Sequence, residues 1–203
     1  TPRVDTVRLQ AMSRAFINSA SLFAAIDLRV FTAVAEGANT AAAFAAKAGI
    51  SALNADRLMT MCCANGLLEW DGSTYGNAAD VQRFLVEGES RYAGAWLQFM
   101  RPRWERWGNL TELLQTEEPA QLTPRSVLDM TVESARDYHK ATASVGFGAG
   151  RRFSRDVDLS GRKRMMDIGG GSGAYSIVAV QQFVGLSAVV CDLPAVVPVT
   201  REF

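Results

Sequence analysis

"RKRMMDIGGGSGAYS", residues 162–176, is the stretch that decides the fold. "KRMMDIGG" reads as a short strand running into a glycine turn, "AYSIVAVQQFV" as a helix, and "LSAVVCDLP" as a second strand. Strand, helix, strand is one βαβ unit, which implies a parallel sheet with helices on its faces. In the turn, Asp167, Ile168, Gly169, Gly170, Gly171, Ser172 and Gly173 fit the pattern D-x-G-x-G-x-G. Glycines let the backbone turn sharply and approach a ligand closely, and the start of the next helix presents free N–H groups.

Nucleotides, dinucleotides and S-adenosylmethionine all use turns of this kind. No G-K-[ST] follows, which removes a Walker-type phosphate cradle. Asp167 closes the first strand inside the motif itself, and a carboxylate there suits an ammonium or sulfonium and repels a pyrophosphate. The second strand ends in Asp192, 19 residues after Gly173, where an acid can bind the two ribose hydroxyls. Acid, glycine turn, helix, strand, acid is the arrangement of an S-adenosylmethionine site. A ligand-free βα turn and a nicotinamide or flavin site are the competing readings.

Upstream the texture is helical. "RLQAMSRAFINSASLFAAIDLRVFTAVAEG" sets Leu22, Ile26, Val30 and Val34 along one stripe with Phe23 and Phe31 beside it, ended by Gly37 as a C-cap. "NTAAAFAAKAGI" predicts a short helix capped by Asn39 or Thr40. "SALNADRLMTMCCANGLLEW" predicts a longer one capped by Ser51 or Asn54, with Leu58, Met61, Cys62 and Leu68 available to bury. "LLEWDGSTYGN" then predicts two short strands around Asp71-Gly72. Helix, helix, longer helix, hairpin is the order of a winged helix. Further on, a helix rich in Trp96, Phe99, Trp104 and Trp107 breaks near Pro102, Pro119 and Pro124 mark a loop, and a second helical stretch weakens at Gly146, Gly148 and Gly150.

Composition sets outer bounds. Hydrophobic residues at 48% and charged residues at 21% are ordinary for a globular protein. Lys+Arg and Asp+Glu both count 21, so no global positive field gathers nucleic acid or an anionic membrane. No apolar run reaches the roughly 18 residues of a membrane span, and "TPRVDTVRLQ" lacks the layout of a signal peptide. The chain has no initiator Met, and the expectation is that its true N-terminus is omitted. Three cysteines, with Cys62 and Cys63 adjacent, make neither a disulfide framework nor a metal-ligand spacing. Reduced thiols of a cytoplasmic protein without a metal are expected.

With these motifs in place, the chain resembles the S-adenosylmethionine-dependent small-molecule O-methyltransferases of the caffeate/hydroxyindole type, bacterial natural-product enzymes among them. "SLFAAIDLRVFTAVAEGANTAAAFAAKAGISALNADRLMTMCCANGLLEWDGSTYGN" resembles their winged-helix dimerisation region. "RWGNLTELLQTEEPA" resembles their W-x-x-L helix, with Glu117 where the family has Gly. "MMDIGGGSG" and "VVCDLPAVV" resemble their cofactor loop and ribose-binding strand end. The resemblance implies that Asp167, Gly169, Gly170, Gly171 and Gly173 line the cofactor, that Asp192 holds its ribose, and that Leu193 packs near the adenine. "YHKAT" sits where the family has F-x-x-x-M, so Tyr138 keeps the aromatic and Thr142 departs from Met. With Trp104, those two residues are the candidates for the small-molecule acceptor; ordinary helix packing is the competing reading for all three.

The implied fold is an α-helical, winged-helix-like N-terminal domain followed by the start of a Rossmann-like α/β class I methyltransferase domain. Its divisions are a dimerisation domain over 1–95, acceptor-pocket helices over 96–160, and the first βαβ unit over 161–203. Enzymes of this kind use a general base, usually His, which in the family lies well beyond the second strand. His139, the only histidine, lies far upstream of it and is expected to pack or face solvent. Two strands cannot bury both faces of a doubly wound sheet. Residues 1–203 are therefore expected to be the front of a longer polypeptide, with the base beyond Phe203 and no activity of their own.

Two other functions remain in play: a cofactor-binding but non-methylating partner subunit, and a winged-helix DNA-binding regulator. Against the latter, the would-be recognition helix "ALNADRLMTMCCANGLL" carries Arg57 as its only basic residue and reads as buried, whereas a groove-reading helix needs several polar or basic side chains on one face. The apolar N-terminal helices instead suggest a homodimer, with neither nucleic acid nor membrane as partner.

Overall fold

The computed structural model describes residues 4–116 and 129–203, so the loop marked by Pro119 and Pro124 lies outside the described residues. The chain divides into two compact units, Thr1–Gly94 and Ala95–Phe203.

The first unit begins with α1 (Val7–Asp27) and α2 (Val30–Ala35). The single stripe expected across both is broken. Leu28 closes onto Ala24, and Arg29 takes the left-handed conformation at φ 57°. That conformation costs a non-glycine residue about 1–2 kcal/mol. The turn it makes leads into a helix in which Val30, Phe31 and Val34 are all buried, and apolar burial of about 1.5–3 kcal/mol per large side chain outweighs the strain.

α3 (Ala41–Ala48) is capped by Thr40, whose hydroxyl accepts from the Ala43 N–H, and α4 (Ala52–Ala64) by Ser51, accepting from Asn54 N–H. Of the four residues expected to bury from the α4 stretch, Cys62 and Leu68 do, while Leu58 and Met61 are half-buried and the largest fully buried side chain of the helix is Met59. Burial pushes the Cys62 thiol up to about 12, so it stays protonated. The helix is also less buried than its composition suggests: Leu53, Asn54, Asp56, Arg57 and Thr60 face outward. Its outer face sets one acid against one base, so it is still not a basic face for DNA.

β1 (Leu68–Trp70) and β2 (Tyr75–Asn77) pair antiparallel. The Asp71 carboxylate accepts from the backbone and hydroxyls of both Ser73 and Thr74, which holds it well below the usual carboxylate range. The hairpin is tied to the helices by the Asn77 amide donating to the Phe31 carbonyl and the Tyr75 N–H donating to the Asn39 carbonyl. α5 (Ala79–Phe84) follows.

Beyond α6 (Gly94–Gln98), Pro102 sits in a 3-10 turn over Arg101–Arg103, as expected of a residue without an N–H to give. α7 (Trp104–Gly108) and α8 (Leu110–Leu114) lead to α9 (Val132–Asp156), which starts in a reciprocal cap between Thr131 and Ser134. β3 (Arg164–Ile168), α10 (Ala174–Gln182) and β4 (Ser187–Cys191) form the βαβ unit, and α11 (Val197–Thr200) closes it. The strands are parallel, with Asp167 opposite Val190. Met165, Asp167, Ala188 and Val190 share a half-buried face on the α10 side, while Met166, Ile168 and Val189 stand exposed on the other. Two strands thus cover one face, as the strand count requires.

The expected weakening of α9 at its glycines does not occur. The helix runs unbroken through Gly146, Gly148 and Gly150, because two of them are contact points with α10. A Cβ on Gly150 would lie 2.9 Å from the Ala174 carbonyl oxygen, and one on Gly146 3.3 Å from the Ala174 Cβ. Gly148 faces open space. The two glycines should therefore respond oppositely in thermal or urea unfolding. Gly148→Ala should stabilise by up to about 1 kcal/mol through helix propensity. Gly150→Ala should destabilise by about 1–3 kcal/mol, because backbone blocks the methyl.

Candidate functional site

The glycine turn joins β3 to α10, and the parallel pairing brings the ends of both strands to it. The Gly169 N–H donates to the Cys191 carbonyl at 2.7 Å, stitching the turn to the end of β4, and the Gly173 N–H closes the turn onto the Gly170 carbonyl at 2.8 Å. Gly169, Gly171 and Gly173 have φ of 71°, 57° and 72°, a region that only glycine enters without strain. The sides of the turn differ. Around Gly169 a Cβ would meet nothing within 4 Å, so space is open there. At Gly170 it would lie 2.7 Å from Val190 Cγ1 and 2.8 Å from Asp167 Cγ, so that side is closed.

Both acids expected from the sequence reach the turn. Asp167 accepts from the Ser176 hydroxyl at 2.8 Å, which ties the end of β3 to the first turn of α10. Asp192 accepts the Gly171 N–H on Oδ2 and the Leu193 N–H on Oδ1, each at 2.7 Å. A carboxylate has about four acceptor positions, so both acids keep capacity for donors on a ligand. At the start of α10 the N-cap is Gly173, which offers no side chain, so the N–H groups of the first helical turn receive no cap. Leu193 is half-buried against a small core of Ala135, Val196 and Val199.

The residues expected to face an acceptor are brought only partly together. Tyr138 makes edge contacts with Phe99 at 5.4 Å and with His139 at 5.0 Å, and Phe99 stacks on Trp96 at 5.9 Å. An aromatic line thus runs from α6 to α9. Trp104 opens α7, next to Arg103, whose guanidinium lies over the Phe99 ring. The Thr142 hydroxyl donates to the Tyr138 carbonyl one turn back, which leaves it no proton for another acceptor.

Three residues at this site were not singled out from sequence: Ser176, Thr200 and, as part of the turn, His139. A Cβ on Gly171 would lie 2.5 Å from His139 Cε1, so the imidazole lies directly against the turn. The ring is buried, which draws its pKa below the ordinary histidine value, with Asp192 pulling the other way. Thr200 donates to the Gly171 carbonyl at 2.6 Å. No local motif marks any of the three; the packing of α9 and α11 around the βαβ unit assembles them.

Fold and site together define the class: an α/β protein whose glycine turn stands at the carboxyl ends of parallel strands, flanked by strand-end acids. Residues 10–87 match the family model of the O-methyltransferase dimerisation domain, and residues 127–203 match that of the O-methyltransferase domain. The chain belongs to the O-methyltransferase family. It is 35% identical over 185 residues to 3-hydroxy-5-methyl-1-naphthoate 3-O-methyltransferase of Streptomyces sahachiroi, covering 90% of this chain and 54% of that protein. It is 30% identical over 210 residues to the N,N-dimethyltransferase OxyT of Streptomyces rimosus, covering 99% and 60%. Among solved structures, human N-acetylserotonin methyltransferase in complex with SAM superposes with a TM-score of 0.79 at 25% identity, over 100% of this chain and 63% of that one. The chain thus spans little more than half the length of these curated relatives.

Gly171→Ala tests the geometry of the turn without reference to a ligand. Left-handed strain and the clash with His139 should together lower stability by about 2–4 kcal/mol in thermal unfolding. A change within 0.5 kcal/mol of the parent would show that the turn is not packed as described.

Proposed function

We propose that this protein is an S-adenosylmethionine-dependent methyltransferase that methylates a hydroxyl of a small aromatic or natural-product acceptor. The observation that carries the reading is the turn itself, with Asp167 at one strand end and Asp192 at the other. The residues present fit the cofactor: the space beside Gly169 is open, and both acids keep free acceptor positions. Asp192 would take the ribose hydroxyls, Asp167 the positively charged end, Gly169, Gly170, Gly171 and Gly173 would line the cofactor, and Leu193 would flank the adenine. When bound, the cofactor supplies an electrophilic methyl group. The protein's work is then to align acceptor and methyl in line, and to remove one proton. Likeness to the Streptomyces naphthoate enzyme favours an aromatic hydroxyl, and likeness to OxyT keeps a nitrogen acceptor as the second reading.

In this reading the chain divides into a winged-helix-like dimerisation part over 1–95, pocket helices over 96–160 and the Rossmann-like cofactor part over 161–203. Trp104, Tyr138 and Thr142 belong to the acceptor side, Thr142 through its shape, since its hydroxyl is already engaged. His139 is not the general base, because its ring is buried against Gly171. Among the described residues no helix is long and apolar enough to cross a membrane, and no acid, His and Cys cluster could hold a metal. We read the protein as cytoplasmic.

The partner of the first unit is a second copy of the chain. Residues 4–20 are exposed throughout, and Leu9, Met12 and Phe16 line one side of α1 at three- and four-residue spacing. A helix with its first turns bare is marginal in water by itself, and packing that stripe on a twin would cover it. Light scattering should give a dimer, and Met12→Glu with Phe16→Glu should shift it towards monomer. A monodisperse parent monomer would contradict this.

Calorimetry with S-adenosylmethionine tests the cofactor. Asp192→Asn should weaken binding by roughly tenfold or more, the worth of a hydrogen bond to a charged group. A full-length parent that takes up no cofactor sinks the reading.

A further inference from the structure

Besides Asp192, the glycine turn is held from behind by two side chains that the proposed cofactor does not need to touch, Thr200 and His139. At Gly171 both backbone polar groups are taken: the N–H by Asp192, the carbonyl by the Thr200 hydroxyl at 2.6 Å. Thr200 lies on α11, where a threonine hydroxyl ordinarily bonds back to the carbonyl four residues earlier. That carbonyl, of Val196, is 3.2 Å away, so the single hydroxyl proton favours the shorter contact across to the turn. Against Gly171 from the α9 side lies the His139 ring.

The supports of this clamp are themselves fixed. On α9, Ala135, His139, Gly146, Gly150 and Ser154 recur at spacings of four and seven, and all are small except His139. Ala135 packs with Val196 and Val199 of the α11 segment, and Arg136 pairs in two-pronged fashion with Glu202 at the rim. One turn of α9 therefore seats α11, and the next lays His139 on the turn that α11 also holds.

We propose that Thr200 and His139 are positioning residues of the cofactor turn, Thr200 by fixing the peptide plane that follows Gly171 and His139 by packing against that residue, so that the open side at Gly169 keeps its shape before any ligand arrives. The ligand part of this inference rests on the S-adenosylmethionine reading; the clamp does not.

His139 also gives the clamp a pH signature. The charged group facing it is Asp192, and the titratable ring in contact with it is Tyr138. Burial favours neutral His139 in the folded protein, so its share of the stability is present above the ordinary value of 6.5. That share is lost as the pH falls through this value towards the lower folded one.

The test uses the full-length protein with Thr200→Val, Thr200→Ser and His139→Phe, and Arg152→Gln as a control at an exposed ion pair on the same helix. Amide exchange across residues 169–173 is followed without ligand, and S-adenosylmethionine affinity by calorimetry. Thr200→Val should speed that exchange and weaken the cofactor by roughly three- to tenfold, the worth of one hydrogen bond. Thr200→Ser should restore both, and Arg152→Gln should change neither. His139→Phe, which keeps a flat ring, should fold and lose the decline in stability below pH 6.5. Thr200→Val exchanging like the parent would overturn the clamp, as would a Thr200→Ser that fails to restore it. Faster exchange in Thr200→Val with no cofactor uptake by the parent would uphold the clamp and sink the cofactor reading instead.

Discussion

The second unit depends on one close approach: α9 lies on the first residues of α10 at a distance that leaves no room for a methyl group on Gly150. Helices normally keep 8–10 Å between axes, set by the side chains at the contact, and removing those side chains lets backbone meet backbone. The consequence is felt at the other end of α9. His139 stands 11 residues upstream of Gly150, about 16 Å along the axis, and a helix tilted away at Gly150 would lift it off the turn. Helix composition thus governs site geometry over a distance that no local motif spans.

At the turn, charge and conformation serve the same end. Positive φ at three glycines points successive N–H groups in directions that an ordinary loop does not allow. Asp192 uses two of the local N–H groups as donors, which fixes its carboxylate rather than leaving it to rotate into solvent. Asp167 is fixed likewise by Ser176. A turn holding two oriented carboxylates presents negative charge where phosphate cradles present only N–H dipoles. The choice between cofactor classes lies in that contrast more than in the number of glycines.

Much of this was legible in the sequence, for reasons that differ element by element. The βαβ unit announces itself because an apolar strand, a glycine turn and a small-residue helix each have their own periodicity, and Asp167 and Asp192 fall where the strands must end. Thr40 and Ser51 were each visible as one of two candidate caps, beside Asn39 and Asn54, because a capping hydroxyl acts within three residues. The break at Arg29 was not, since nothing in "DLRVF" demands positive φ and only the burial of Val30 and Phe31 makes it worthwhile. The glycines of α9 misled because propensity treats glycine as a helix breaker, while here its missing side chain is the contact. His139 and Thr200 were hidden because their partners lie 32 and 29 residues away in the chain.

The clamp on Gly171 also orders events in time. The turn leaves the ribosome before Thr200 and before Asp192, and at a synthesis rate of about 5–20 residues per second it waits some seconds for the segment that sets it. Until β4 pairs, β3 is a lone apolar strand with an open edge, a form prone to wrong partners. His139 meets the turn only after a loop of some thirty residues has closed, the kind of non-local contact that forms late. The part of the chain most finely shaped for a ligand therefore takes its shape only after segments made later than its own residues have docked.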